Sequence, residues 1–173
     1  YGSHTRTWVN HLGAVWHSEL QLGYDNTATT SFYQPLDVAQ RWFIEPHLLA
    51  RQTLEDIYFQ GDRVSSYDFR DAGGGVDIGF NPSNMAQWRV GYVASRRSYR
   101  VDTGSVLYPE DSRTDAGARV ELTYDNRDNR FNAARGIASM VEYLYADRAL
   151  GATSDWQRIE MAAGAAIPVG KNL

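Results

Sequence analysis

The chain has 173 residues, a length for one domain or part of one, with 43% apolar residues, 22% charged residues and a net charge of −4. That apolar content excludes intrinsic disorder, and the acidic balance excludes the concentrated basic face that nucleic-acid binding requires. The absence of Cys removes disulfides, thiolate metal sites and cysteine nucleophiles.

The chain opens Tyr1-Gly2-Ser3-His4 without Met, which reads as a piece or a processed product. Its dominant period is two, the signature of a strand with two different faces. The first predicted strand covers residues 11–24. There Leu12, Ala14, Trp16, Leu20 and Leu22 share one parity, and Gly13, His17, Glu19 and Gln21 take the other. A strand at 28–36 follows, then one at 41–59 in which Trp42, Ile44, Leu48 and Ala50 alternate with Glu45, His47 and Arg51. Pro46 lies inside this third strand and lacks a ladder donor, so a bulge is expected there.

The fourth strand, 65–80, sets Val76, Ile78 and Phe80 against Asp77 and interleaved glycines. The fifth, 86–101, sets Trp88, Val90, Tyr92 and Ala94 against Arg89 and Ser95. In the sixth, 113–126, Val120, Leu122 and Tyr124 alternate with Arg119 and Glu121. After a strand at 136–147, the eighth, 156–169, sets Ile159, Met161, Ala163 and Ile167 against Arg158 and Glu160.

Most of these segments reach the roughly 9–11 residues that a tilted strand needs to cross a bilayer, whereas soluble strands cluster near 5–6. No apolar run approaches the roughly 18 residues of a membrane helix. The expected fold is therefore an all-β, antiparallel transmembrane barrel, with about eight strands present over residues 1–173. Asp37–Gln40 and Asn81–Met85 read as short turns, Val101–Ser112 and Arg148–Asp155 as longer loops. Barrels of the outer membrane pair short periplasmic turns with long external loops, which puts the first residue at the periplasmic end. The connection Asn126–Arg135 is long for a periplasmic turn.

Parity then assigns the faces. Leu12, Trp16, Leu20, Trp42, Ile44, Leu48, Trp88, Val90, Tyr92, Val120, Leu122, Tyr124, Ile159, Met161 and Ile167 are expected to meet lipid. His17, Glu19, Glu45, Arg51, Asp77, Arg89, Arg119, Glu121, Arg158 and Glu160 are expected to line a polar lumen, as cross-strand ion pairs. Lys171 is the one Lys, and the Arg-rich remainder suits confined pairing with carboxylates. Trp8, Trp156, Tyr143 and Tyr145 join Trp16, Trp42, Trp88, Tyr92 and Tyr124 in an expected aromatic belt.

Catalytic and cofactor motifs are not found. Asp71-Ala-Gly-Gly-Gly-Val76 runs into strand-spaced apolar residues rather than a helix N-terminus, so it does not cradle a phosphate. No Gly-x-Ser-x-Gly elbow occurs. His11 and His17, six residues apart on one strand, would lie about 20 Å from each other, too far to share a metal. No catalytic residue, cofactor or metal is expected. A rival architecture is a soluble barrel that binds a small apolar ligand, with apolar side chains inside and polar ones outside.

Two stretches carry a family likeness. Ser31-Phe-Tyr-Gln-Pro-Leu-Asp37, followed by Trp42-Phe-Ile-Glu-Pro46, is one. Leu122-Thr-Tyr-Asp-Asn-Arg-Asp-Asn-Arg-Phe131, followed by Arg135-Gly136, is the other. With Ala166-Ile-Pro-Val-Gly170, they resemble the bacterial surface-antigen barrel of BamA-like insertases, TamA-like proteins and two-partner-secretion transporters. The Tyr-Gln-Pro-Leu-Asp stretch looks most like the barrel of patatin-like phospholipases, the type Vd autotransporters.

The resemblance implies a 16-stranded wall in the bacterial outer membrane, of which this chain would supply about half. It implies contact with membrane lipids and lipopolysaccharide, and insertion by the outer-membrane assembly machinery. It also implies completion by further strands or a second copy, because open edges cannot face lipid. The implied role is to anchor or translocate a soluble domain, a patatin-like lipase in the closest branch, or alternatively to assemble or transport other outer-membrane proteins. Any lipolytic activity would belong to a domain outside this chain.

Overall fold

A computed structural model of the chain describes residues 1–59, 61–103, 111–129 and 132–168. Those residues form a single nine-stranded antiparallel sheet in which every strand pairs with its neighbours in sequence. The strands are β1 (Gly2–Arg6), β2 (Val15–Gln21), β3 (Asp25–Pro35), β4 (Trp42–Phe59), β5 (Asp62–Ser83), β6 (Ala86–Thr103), β7 (Asp111–Asp125), β8 (Gly136–Ala146) and β9 (Trp156–Ala166). The sheet does not close: β1 and β9 are its two edges. A short 3-10 turn, Arg148–Leu150, precedes β9. No helix among the described residues is long and apolar enough to cross a membrane.

The eight expected strands are all present, and one was missed. β1 escaped notice because its five residues, Gly-Ser-His-Thr-Arg, contain no apolar position to mark a period. The extra strand reverses the expected polarity of the chain start. Gly2 pairs with Leu20, so the first residue lies at the end that holds the β8–β9 loop, not at the end of the short β3–β4 and β5–β6 turns.

Two expected lipid-facing positions lie off the strands: Leu12 sits in the turn before β2, and Ile167 follows β9. The turn explains this: the Asn10 side chain accepts hydrogen bonds from the Leu12 and Ala14 backbone, closing the chain before β2 begins. Of the loop expected at Val101–Ser112, residues 101–103 and 111–112 are strand, and residues 104–110 lie outside the described residues.

Pro46 makes no bulge. The β3–β4 ladder runs to Ser31–His47 and resumes at Gln34–Ile44 in the same register. Pro46 lacks the N–H that would bond across, so two pairings lapse while the count stays even. The register irregularities among the described residues lie elsewhere, at Ile57/Tyr58, Ser66/Tyr67 and Phe80/Ser83.

The long β7–β8 connection is held by its own side chains. Asn126 accepts from Ile137 N at 2.7 Å, and Asp128 accepts from Ala134 N at 3.0 Å. Arg127 forks onto both oxygens of Asp125 at 2.9 Å. Gly136 re-enters the sheet at φ 113°, where a Cβ would press on the Arg127 backbone. Those Asx interactions replace the strand ladder and end it.

Candidate functional site

The register sorts the strands into two faces. On one, in-register rows cross the sheet: Trp42, Phe80, Trp88, Leu122, Val141 and Met161 form one row. Ile44, Ile78, Val90, Val120, Tyr143 and Ile159 form the next. Trp42 and Phe80 stack at 4.7 Å, and Phe80 and Trp88 at 6.0 Å. Trp16, Leu20, Leu48, Tyr92 and Tyr124 share this face. From the Tyr124 row to the Ala94 row the apolar surface extends four pleats, about 27 Å along the strands. Its large side chains are open: Val90 is 59% and Ile159 63% exposed.

The opposite face is polar and crowded. Asp77 on β5 is fully buried, with His47, Arg89 and Arg119 around it. That burial asymmetry is what a sheet curved toward its polar side produces. The soluble-barrel alternative requires the reverse arrangement, apolar side chains on the crowded side.

The register explains why the charges interlock. Glu45 lies directly opposite Asp77, and Glu121, Glu142 and Glu160 lie in one row across β7, β8 and β9. Such like-charge neighbours repel, and a cation on an adjacent strand offsets the repulsion. Arg89 supplies one: its guanidinium is 2.9 Å from Glu45 and 3.8 Å from Glu121. Arg119 bonds Asp77 and lies 3.8 Å from Glu142. Arg158 bonds Glu142 at 2.8 Å and lies 3.9 Å from Glu160. The result is a continuous ladder from β4 to β9 in which five carboxylates meet three guanidiniums. A buried charge without such partners would cost several kcal/mol.

Close packing fixes the ladder in place. The Phe43 ring lies over Gly79, and Asp77 lies over Gly91, where any Cβ would collide with it. Phe43 is fully buried, stacks on Tyr33 at 4.7 Å and carries Arg89 over its face at 5.2 Å. The likeness-bearing stretch Ser31–Asp37 with Trp42–Pro46 thus has a structural job. Asp37 caps the turn by accepting from Trp42 N at 3.0 Å, and Pro35 is buried opposite Phe43.

Of the expected polar-face residues, Glu45, Asp77, Arg89, Arg119, Glu121, Arg158 and Glu160 meet in the ladder. His17 and Glu19 are apart, on β2, 3.0 Å from each other. Arg51 faces Asp25 across 3.9 Å. His47, already at polar parity, joins the ladder beside Asp77; Glu142, Phe43 and Tyr33 are members that parity reading missed. Glu142 had a signal, since it alternates with Val141 and Tyr143 on β8. Phe43 had none, because an apolar residue at a polar parity reads as noise until its glycine neighbour is known.

Trp156 corrects the belt: it lies on the polar face, its indole donating to Asp115 at 3.0 Å. Trp8 sits in the turn before β2 at φ 55°. No group of metal-ligating side chains occurs among the described residues.

The model of the Omp85 superfamily domain matches residues 10–173. No curated protein and no solved structure matches the chain.

Proposed function

The chain belongs to the Omp85 superfamily, whose members are bacterial outer-membrane proteins of assembly or secretion, and on that premise we propose that it is a wall segment anchoring or translocating a soluble domain across the outer membrane. The supporting observation is the two-faced sheet. One side is a band of open apolar and aromatic rows, the kind of surface an outer-membrane barrel turns to lipid. The other is a charge ladder that needs a polar enclosure.

In this reading the apolar rows meet acyl chains and lipopolysaccharide, and the ladder lines the lumen. The wall holds its cargo by continuity of the chain or by passage through that lumen, and performs no bond chemistry itself. The finer reading makes the cargo a patatin-like lipase, on the likeness of Ser31–Asp37 and Trp42–Pro46 alone. A complete reading frame that encodes no Gly-x-Ser-x-Gly domain ends that finer reading and leaves the wall intact.

Single-Trp variants reconstituted in brominated lipid test the wall. Bromine quenches only an indole that meets acyl chains. Trp42 and Trp88 should be quenched strongly and Trp156 hardly at all. Equal quenching at all three, or none, overturns the assignment of faces.

A further inference from the structure

The lipid side of the sheet carries cations that take no part in the polar ladder. Beyond the apolar band, the first row holds Ala72, Arg96 and Thr114, and the next holds Gln52, Arg70, Ser98 and Ser112. The third sets Leu54 and Asp68 beside Arg100. Arg70 is thus the diagonal neighbour of both Arg96 and Arg100, at a spacing of about 7 Å that long side chains span. All three guanidiniums are exposed, and Arg70 is held by Asp68 at 2.6 Å. Arg96 and Arg100 make no ion pair among the described residues. In these rows three guanidiniums meet one carboxylate, the reverse of the ladder's excess of acid.

An apolar trough runs up to the same cluster. Leu20, Ala28, Ala50, Ala72 and Arg96 lie in one row across β2 to β6, so a guanidinium stands at the end of a line of aliphatic side chains. That row and the neighbouring Ser18–Thr30–Leu48 row border a cavity of about 720 Å³. It opens on the lipid side, because both rows point there. A ligand matched to the two parts has an anionic head and an aliphatic tail. A guanidinium fork suits a phosphate, to which it donates two parallel hydrogen bonds. β4 and β5 run on past the band to Phe59 and Asp62, whereas at its other border β5 stops at Ser83, just after Phe80. Outer-membrane barrels reach farther on their external side, so the cluster meets the outer leaflet.

Resting on the wall reading, we propose that Arg96 and Arg100, with Arg70 between them, bind a phosphate of the lipid A part of lipopolysaccharide. One acyl chain of that lipid lies in the trough.

Native mass spectrometry of the protein, expressed from its complete reading frame and held in detergent, tests this with purified diphosphoryl lipid A. The parent should retain one lipid A. Arg96→Gln with Arg100→Gln, which breaks no ion pair, should weaken binding at least tenfold. Removing two other exposed cations, Arg41→Gln with Arg148→Gln, should leave it unchanged. Ala50→Phe, which fills the trough, should also weaken it, and unchanged binding there overturns the seat of the acyl chain. Dephosphorylated lipid A should bind the parent no better than diphosphoryl lipid A binds the Arg96/Arg100 variant. Equal binding by parent and that variant, or by phosphorylated and dephosphorylated lipid, overturns the proposal. So does phosphatidylglycerol binding as tightly as lipid A, which makes the patch a general anionic rim. Displacement of lipid A by an equal concentration of inorganic phosphate overturns it too, and makes the patch a site for the free ion. In each of these cases quenching of Trp42 and Trp88 by brominated lipid leaves the wall standing; if neither is quenched, the wall reading fails and takes the site with it.

Discussion

The two faces of β4–β8 share the same strands, turns and register, yet their side chains are coupled very differently. On the polar face each member depends on the others: Arg89 reaches Glu45 and Glu121, Asp77 needs Arg119, and Phe43 needs the bare backbone of Gly79. On the apolar face the rows are open and their members are nearly interchangeable, because what they contribute is transfer from water rather than mutual fit. Geometry is strict where charge is enclosed and permissive where a fluid medium completes the packing.

The sharpest way to break this contrast is to remove one charge from the ladder. Arg119→Met removes the nearest cation from the buried Asp77, leaving only the more distant His47 and Arg89, and should destabilise the integrated protein by about 3 kcal/mol. Adding Asp77→Leu should recover most of that loss. Urea unfolding from liposomes reads both, and a cost for Arg119→Met no larger than for an exposed position would dissolve the distinction.

The apolar face should respond to charge but hardly to shape. Leu122→Arg, in the middle of its row, should cost about 2–4 kcal/mol in the same assay, falling toward zero for Arg placed at the rim. A Val90→Ile exchange should stay within about 0.5 kcal/mol. If Leu122→Arg were silent, hydrocarbon would not be what this face meets.

Gly79→Ala tests fit without charge. Its new methyl meets the Phe43 ring, and overpacking of this kind costs about 1–3 kcal/mol. The smaller Phe43→Leu ring replacement should relieve part of it, so a double-mutant cycle that came out additive would deny the contact.

The smallest effect belongs to neither face. In the β7–β8 turn, backbone N–H groups of Arg135 first, then Ala134 and Asn129, hold the Asp128 carboxyl below its usual range. A depressed folded pKa contributes stability above the unfolded value and loses it as pH falls through the folded one. Protection of the Ala134 and Arg135 amides, measured against their intrinsic exchange rates, should therefore fall only below the ordinary carboxylate range, and Asp128→Asn should remove the acid dependence. Protection lost already near neutrality would assign the turn's stability elsewhere.

Much of this molecule is a matter of alternation alone. The period of two places Trp42, Ile44, Leu122 and Ile159 on one face and Glu45, Arg119 and Arg158 on the other, because successive side chains must point to opposite sides of a strand. Asx residues and Gly136 mark the β7–β8 turn for an equally local reason. Register across strands is not local. Which carboxylate each Arg meets, why Phe43 belongs among charges, why Trp156 turns to Asp115, and that Gly2–Arg6 lies along β2 all depend on pairings between residues distant in sequence. Those pairings are set by the whole sheet, and only the tertiary structure decided them.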